Sequence, residues 1–185
     1  MTDKVYLSVW LRGHSPLTLL QSLGRVLERF PISHVDHSAT LRVYALELVE
    51  PALTEHFFDE ASAEEIIAAA REFENPDCAY EVELHWNLWQ REEEWALTPS
   101  PLRILAFGPK FPSDLGEHLL IDFGFEYLYL PSDDRPNWTA LRSNIRSLLR
   151  MASEWEEILP IAKRTLWSDS GEDLAERIEE TMGDE

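Results

Sequence analysis

Residues 118–131, HLLIDFGFEYLYLP, alternate between two kinds of side chain in the way a long β-strand does. Every second residue from Leu119 to Tyr129 is apolar or aromatic, whereas the positions between them include Asp122, Gly124 and Glu126. A strand with one buried face and one partly solvated face has this period of two. The stretch therefore predicts a sheet whose second, polar face displays Asp122 and Glu126.

Four other segments predict strands. Residues 4–12, 39–48 and 79–90 show the same alternation, and residues 102–107 form a short apolar run that ends at a Gly-Pro pair. The strand over 79–90 has a polar side, which consists of Glu81, Glu83, His85, Asn87 and Trp89.

Helix signals separate these strands. Ser15 followed by Pro16 predicts a helix that begins there and ends before Pro31. Ser62 and Glu65 have capping-box spacing, which predicts a second helix over 62–73. Apolar residues at spacings of three and four predict a long helix over 138–159 and a final one over 172–182. Residues 51–60 fit either a short helix or a loop.

The resulting element order is β-α-β-α-β-β-β-α-α. Three consecutive strands after a β-α-β start are typical of an α+β fold with mostly antiparallel pairing. We therefore predict one domain over residues 1–185, built on a five-stranded sheet with its helices packed mainly on one face. We expect about the last 15 residues to fray.

The charge of the chain is −19 and unevenly distributed. Residues 51–100 hold 13 acidic and two basic residues, and residues 151–185 hold 11 acidic and three basic ones. Such a field attracts basic proteins and repels phosphates and anionic lipid heads, so neither nucleic acid nor a membrane is an expected partner. Solubility alone would explain the charge equally well.

Several classes of protein lack their usual signs in this sequence. The N-terminus does not resemble a signal peptide, and no apolar run approaches the length of a membrane span. The single cysteine, Cys78, fits a reducing compartment and is expected to be a small buried residue. These features predict a cytoplasmic protein. Glycine-rich phosphate loops, nucleophile elbows and zinc motifs are absent, so we expect no cofactor.

Two polar groups resemble sites but have a simpler explanation. His34, Asp36 and His37 are all potential metal ligands, yet a site would need a further ligand at defined geometry. We therefore predict a polar loop and no metal.

Arginines recur every fourth residue at 142, 146 and 150, and we expect them to pair with nearby acids.

The preferred hypothesis is a non-enzymatic acidic module that captures a basic partner protein, as an inhibitor or immunity-like protein or as an adaptor. Exposed tryptophan beside acidic residues is a plausible binding hot spot, because aromatic anchors dominate interface energies and charges steer the encounter. The residues expected to bind the partner are Glu81, Glu83, His85, Trp89, Glu92, Glu93, Glu94 and Trp95.

Two alternatives remain open. A carboxylate, histidine and arginine cluster on the polar sheet face could bind a small molecule or perform acid–base chemistry. That cluster would consist of Arg42, Glu83, His85, Asp122 and Glu126. A domain that forms a homodimer through its sheet is the third interpretation.

Overall fold

The computed structural model describes residues 3–132 and 136–183. These residues form an α+β fold with four α-helices and one antiparallel sheet. The strands are β1 (Lys4–Leu11), β2 (Ala39–Ala45), β3 (Thr54–Phe58), β4 (Cys78–Arg91), β5 (Trp95–Phe107), β6 (Leu119–Phe125) and β7 (Ile161–Ser168). The helices are α1 (Pro16–Arg29), α2 (Ala63–Arg71), α3 (Trp138–Ile158) and α4 (Leu174–Gly183).

The sheet has seven strands in the order β3-β2-β4-β5-β6-β1-β7, so the expected number of five is wrong. The two additional strands, β3 and β7, lie at the two edges. An edge strand has a single neighbouring strand, and most residues of β3 and β7 are at least partly exposed to solvent. Their sequences therefore lack the continuous apolar face that identifies a buried strand. Residues 51–60, for which a short helix or a loop was expected, therefore contain a strand.

The predicted alternation is confirmed in the centre of the sheet. In β4, Tyr80, Val82, Leu84, Trp86 and Leu88 are all buried. These side chains belong to one apolar cluster that also receives the buried faces of the four helices. A smaller apolar cluster contains strand residues that point to the opposite face of the sheet, namely Tyr44, Ala79, Leu105 and Phe107, together with Phe111 of the loop after β5.

The strand predicted over 118–131 is shorter in the structure and ends at Phe125. Gly124 has a φ of +87°, and its N–H donates to Oδ1 of Asp122 at 2.9 Å. The chain then enters a 3-10 helix, Glu126–Leu128. A positive φ is easily adopted by glycine alone, so this residue allows the turn out of the sheet. The prediction that Glu126 follows Asp122 on the same strand is therefore wrong.

The predicted N-cap serines are confirmed, whereas of the capping box predicted for Ser62 and Glu65 the described residues show the serine half alone. Ser15 Oγ accepts the N–H of Thr18 at 3.1 Å, and Pro16 begins α1. Ser62 Oγ accepts the N–H of Glu65 at 3.4 Å, and Asn137 caps α3. The sequence also predicts that residues 133–137 form a loop that ends in an N-cap; Asn137 provides that cap, and residues 133–135 lie outside the described residues.

Helix α4 lies within the tail for which fraying was expected, but its residues Leu174 and Ile178 belong to the core. Residues 184–185 lie outside the described residues. Cys78 is buried, and burial raises the pKa of its thiol. Among the helices in residues 3–132 and 136–183, none combines the length and apolar character needed to cross a membrane.

Candidate functional site

The most distinctive part of the sheet is the hairpin formed by β4 and β5. The pairing of β2 with β4 ends at Glu83, and the pairing of β6 with β5 ends at Arg103. Beyond these points the hairpin continues for eight residue pairs, from Leu84 opposite Leu102 to the pair nearest the turn. The turn itself consists of Glu92, Glu93 and Glu94, all of them exposed. The fold thus extends an acidic loop beyond the neighbouring strands.

The free edge of β4 along this hairpin is held by two polar residues from outside the sheet. The N–H of Ser33 donates to the carbonyl oxygen of His85 at 2.8 Å, and Ser33 Oγ donates to Asn87. Farther along, Asn144 of α3 accepts the N–H of Trp89 and donates to its carbonyl oxygen, both at 2.8 Å. These contacts fix the hairpin relative to α3.

Asn144 was not among the predicted site residues, although the sequence contains a signal for it. Asn144 lies three residues after Leu141 and four before Leu148, on the apolar stripe of the helix. It is buried, and its side chain also donates to the carbonyl oxygen of Leu128 at 2.8 Å. A polar residue on a core-facing stripe needs hydrogen-bond partners, so its position already indicated a structural contact.

The tip of the hairpin combines aromatic, apolar and acidic side chains. Trp89 pairs across the hairpin with Leu97, which is 51% exposed. Trp95 pairs with Arg91, next to the acidic turn. Both tryptophans are half-buried and line a depression of about 200 Å³. The other residues that line it include Tyr127, Leu128 and Leu141. The structure therefore brings together five of the residues expected to bind a partner: Trp89, Glu92, Glu93, Glu94 and Trp95.

A chain of ion pairs crosses the polar face of the sheet. Asp122 of β6 contacts Lys4 Nζ at 2.8 Å and Arg103 Nη2 at 2.6 Å. Although burial alone would raise the pKa of Asp122, the hydrogen bonds from Lys4, Arg103 and Gly124 outweigh it and hold the pKa below its usual range. The carboxylate is therefore charged and fully engaged with its neighbours at neutral pH.

The same chain of ion pairs continues through Arg42 of β2. Its guanidinium contacts Glu81 of β4 at 2.8 Å and Glu55 of β3 at 2.6 Å, with Glu83 at 3.7 Å. Glu81 in turn lies 3.7 Å from Arg103. The buried carboxylate of Glu81 thus connects the two arginines, and opposite charges alternate across six strands.

Glu126 does not join this network. Its carboxylate accepts a hydrogen bond from Ser168 and contacts Arg177 of α4 at 2.5 Å. Burial alone would raise its pKa, but these two partners together lower it. The residue ties the 3-10 helix to α4 and β7. Four of the groups proposed for a small-molecule site are therefore ion-paired within the fold, and Glu126 is in a different network from Asp122 and Arg42.

His85, the remaining member of that set, lies near the loop between α1 and β2. Its Nδ1 is 3.4 Å from Asp36 Oδ2. Asp36 accepts hydrogen bonds from Ser38 Oγ at 2.6 Å and Ser38 N–H at 3.0 Å, an arrangement that closes the loop on itself. His34 and His37 are exposed, and within the described residues no three histidine, cysteine or acidic side chains are grouped as metal ligands.

The arginines of α3 make different contacts. Arg150 pairs with Glu154 one turn later at 3.0 Å, as expected for a helical surface. Arg142 Nε instead donates to the carbonyl oxygen of Thr181 in α4, and its guanidinium lies 5.9 Å from the ring of Trp138. Both contacts favour a structural role for these side chains.

One pair of histidines was not considered as a unit from the sequence. The rings of His14 and His118 stack at 3.7 Å, and His118 Nδ1 accepts the N–H of Leu11 at 2.9 Å. Burial lowers the pKa of both, and the neighbouring His118 lowers that of His14 further, to about 4. Both rings are therefore neutral at pH 7 and join the end of β1 to the start of β6.

Comparisons with known proteins add no family to this description. No family model matches the chain, and neither the curated proteins nor the solved structures include a significant match to it. The features that bear on function are therefore the hairpin tip and the ion pairs of the sheet.

Proposed function

We propose that this protein is a non-enzymatic acidic module that captures a basic partner protein through the tip of the β4–β5 hairpin. The single observation that carries the proposal is the composition of that tip, where three exposed glutamates adjoin Trp89, Trp95 and the exposed Leu97. Aromatic and apolar side chains supply most of the affinity in such interfaces, and surrounding charges increase the rate of encounter.

The hairpin suits a binding role because it is firmly supported. Beyond the neighbouring strands, eight residue pairs hold its two strands together, and Ser33 and Asn144 hold the free edge of β4. A surface that is ordered before binding loses little conformational entropy when a partner docks. The tip can thus act as a preformed anchor.

We infer that the helices lie on one face of the sheet and leave the ion-paired face uncovered. The buried residues of the helices share a cluster with every second residue of the central strands. The residues of the alternating ion pairs lie between them, so their side chains point to the opposite face. On this face Glu81 is buried between arginines, so its role is to position Arg42 and Arg103. Glu83 and His85, which are partly exposed, would extend the contact surface from the tip.

The ion pairs also favour binding over catalysis. A catalytic carboxylate or histidine needs a pKa near the working pH and access to a substrate. Asp122 instead has a lowered pKa and three hydrogen-bond donors, and Arg42 is shared among carboxylates. These groups are better suited to holding six strands in register than to proton transfer.

The class of partner follows from charge. Residues 51–100, which include β4 and the acidic turn, contain 13 acidic and two basic residues. Opposite charge on the partner would increase the association rate and make affinity depend on salt. An inhibitor or immunity-like protein that neutralises a cationic enzyme has this design, as does an adaptor for a basic subunit.

A photo-crosslinking experiment with matched positions tests the proposal. A benzophenone amino acid would replace Leu97 at the tip or, as a control, Leu149 on α3, which is 41% exposed. In cells of the source organism we expect a basic protein to crosslink from position 97 and not from position 149. An acidic product, equal crosslinking from both positions or no product from position 97 would contradict the proposal.

The crosslinked protein would then be purified and its affinity measured with variants of the tip. We expect Leu97→Arg to weaken binding by at least about tenfold, because it places a cation in an apolar and acidic contact surface. Leu149→Arg should bind as the native protein does. Changing Glu92, Glu93 and Glu94 together to glutamine should slow association and reduce its salt dependence.

A further inference from the structure

The two edges of the sheet are protected to different degrees. On β7, the ammonium group of Lys163 lies 4.5 Å from the ring of Trp10, and Arg164 pairs with Glu156 at 2.6 Å. The pairing of β7 with β1 is also irregular near Leu11. Basic side chains and bulges are two of the ways in which proteins prevent an edge from pairing with another chain.

The opposite edge, β3, has neither form of protection. It pairs with β2 over five consecutive positions with no shift of register, and residues 54–58 include no lysine, arginine or proline. Phe57, near the end of the strand, is 65% exposed. A regular edge with unpaired backbone groups and an exposed aromatic residue is suited to strand addition.

The loop before β3 extends this surface with further apolar groups. Four exposed aliphatic side chains lie between β2 and β3, namely Leu46, Leu48, Val49 and Leu53. A loop with four exposed aliphatic side chains within eight residues is suited to contact with a partner. The edge and the loop together offer both backbone pairing and side-chain contact.

Charge indicates which kind of chain would pair there. Residues 46–60 contain five acidic residues and no lysine or arginine. Two copies of this protein would bring ten acidic groups to one interface, and that repulsion disfavours self-association. An extended segment that carries lysine or arginine has the complementary charge.

We propose that the β3 edge binds an extended segment of a basic protein, which adds to the sheet as an antiparallel eighth strand. Glu55 and Phe57 point to the same face, because they are two residues apart on one strand. The bound segment would therefore place a basic residue opposite Glu55 and an apolar residue opposite Phe57. In an antiparallel strand the apolar residue comes two positions before the basic one.

This edge is separate from the hairpin tip. Strand β3 contacts β2, whose pairing with β4 ends at Glu83, before the hairpin extends beyond the sheet. The proposal shares with the preceding one only the class of partner. Failure at one surface therefore leaves the other unaffected.

The test uses the full chain and two synthetic peptides. The probe, acetyl-KTVTRTK-amide, has valine and arginine at the required spacing, and the control, acetyl-KTVTETK-amide, has glutamate in place of that arginine. Backbone amide shifts in ¹⁵N-labelled protein would report where each peptide binds. We expect shifts confined to residues 46–58 and affinity about tenfold weaker for the control peptide, which places two carboxylates opposite each other.

Two lysine substitutions at opposite edges complete the experiment. Phe57→Lys should abolish the shifts, whereas Thr165→Lys on β7 should leave them unchanged. Leu97→Arg should also bind the peptide normally, because the hairpin tip takes no part. Shifts located elsewhere, no shifts at millimolar peptide or equal affinity for the two peptides would overturn the proposal. So would a dimer in light scattering that Phe57→Lys dissociates, since the edge would then bind a second copy.

Discussion

Asn144 and Trp89 exchange two hydrogen bonds of 2.8 Å each, so a helix side chain takes the place of a neighbouring strand along β4. Replacing Asn144 with leucine would keep the branched shape of the side chain but leave the backbone of Trp89 and the carbonyl of Leu128 without these partners. We expect the free energy of unfolding to fall by about 3 kcal/mol, since each unsatisfied buried group costs about 1–3 kcal/mol. Urea denaturation would measure the loss.

Hydrogen exchange would show whether the hairpin is the part affected. The amide of Trp89 should exchange faster in Asn144→Leu, while amides in the centre of β1 should follow global stability alone. Ser147→Ala on the same helix is a suitable control, because that hydroxyl donates to the Ser143 carbonyl of its own helix. Equal exchange of Trp89 in both variants would show that Asn144 does not support the hairpin.

Asp122→Asn tests the ion-paired face of the sheet. The substitution keeps the shape of the side chain but removes the charge that Lys4 and Arg103 contact. Because both cations retain some exposure, we expect a loss of about 2 kcal/mol, smaller than for a fully buried pair. Glu154→Gln in the exposed pair with Arg150 should cost less than about 0.5 kcal/mol. Similar losses for the two variants would mean that the network contributes little.

The stacked histidines predict a dependence of stability on pH. The pKa of His14 is about 4 in the folded protein and 6.5 ordinarily, so between these values the unfolded chain binds more protons. The contribution of neutral His14 to stability is therefore complete above about pH 6.5 and is lost as the pH falls toward 4. His14→Phe should reduce the decline in the urea midpoint between pH 7 and 5, a range above the titration of Asp122. An unchanged slope would contradict this assignment.

Gly124 provides a test of backbone conformation. Its φ is +87°, and a Cβ there would lie an ordinary 3.5 Å from Leu128, so strain rather than steric overlap would oppose a side chain. We expect Gly124→Ala to lower the free energy of unfolding by about 1–2 kcal/mol. Gly183→Ala, at a position with an ordinary φ and no neighbour within 4 Å, should be neutral or slightly stabilising. Thermal denaturation of both variants would measure the difference.

Most of the correctly predicted features depend on residues that are close together in the sequence. The alternation around Leu84 and the caps at Ser15 and Ser62 depend on residues close in the chain, and these features were predicted correctly. Strands β3 and β7 were missed because an edge strand can form with few buried side chains. The end of β6 is an exception, because its cause is also local: Gly124 adopts a positive φ and donates to Asp122 two residues earlier, while the apolar alternation continues to Tyr129 and predicts a longer strand.

The residues of the candidate site were also predictable where they are close in sequence and unpredictable where strand register brings them together. Trp89, Trp95 and the glutamates between them are neighbours in sequence, so a turn was sufficient to bring them together. The pairing of Arg103 with Asp122 depends on the register of β5 and β6, which a sequence without known contacts does not specify. Register alone therefore decided whether the polar face would display free charges or neutralise them.

Strand β7 pairs with β1, so Trp167 stacks on Tyr6 from the far end of the chain. During synthesis β1 emerges long before β7, so it lacks its outer neighbour until the residues between the two strands have been made. Contacts so distant in sequence slow folding and leave an incomplete intermediate. Truncation within residues 161–168 would thus expose β1 as a new, apolar edge and convert the protein into an aggregation-prone species.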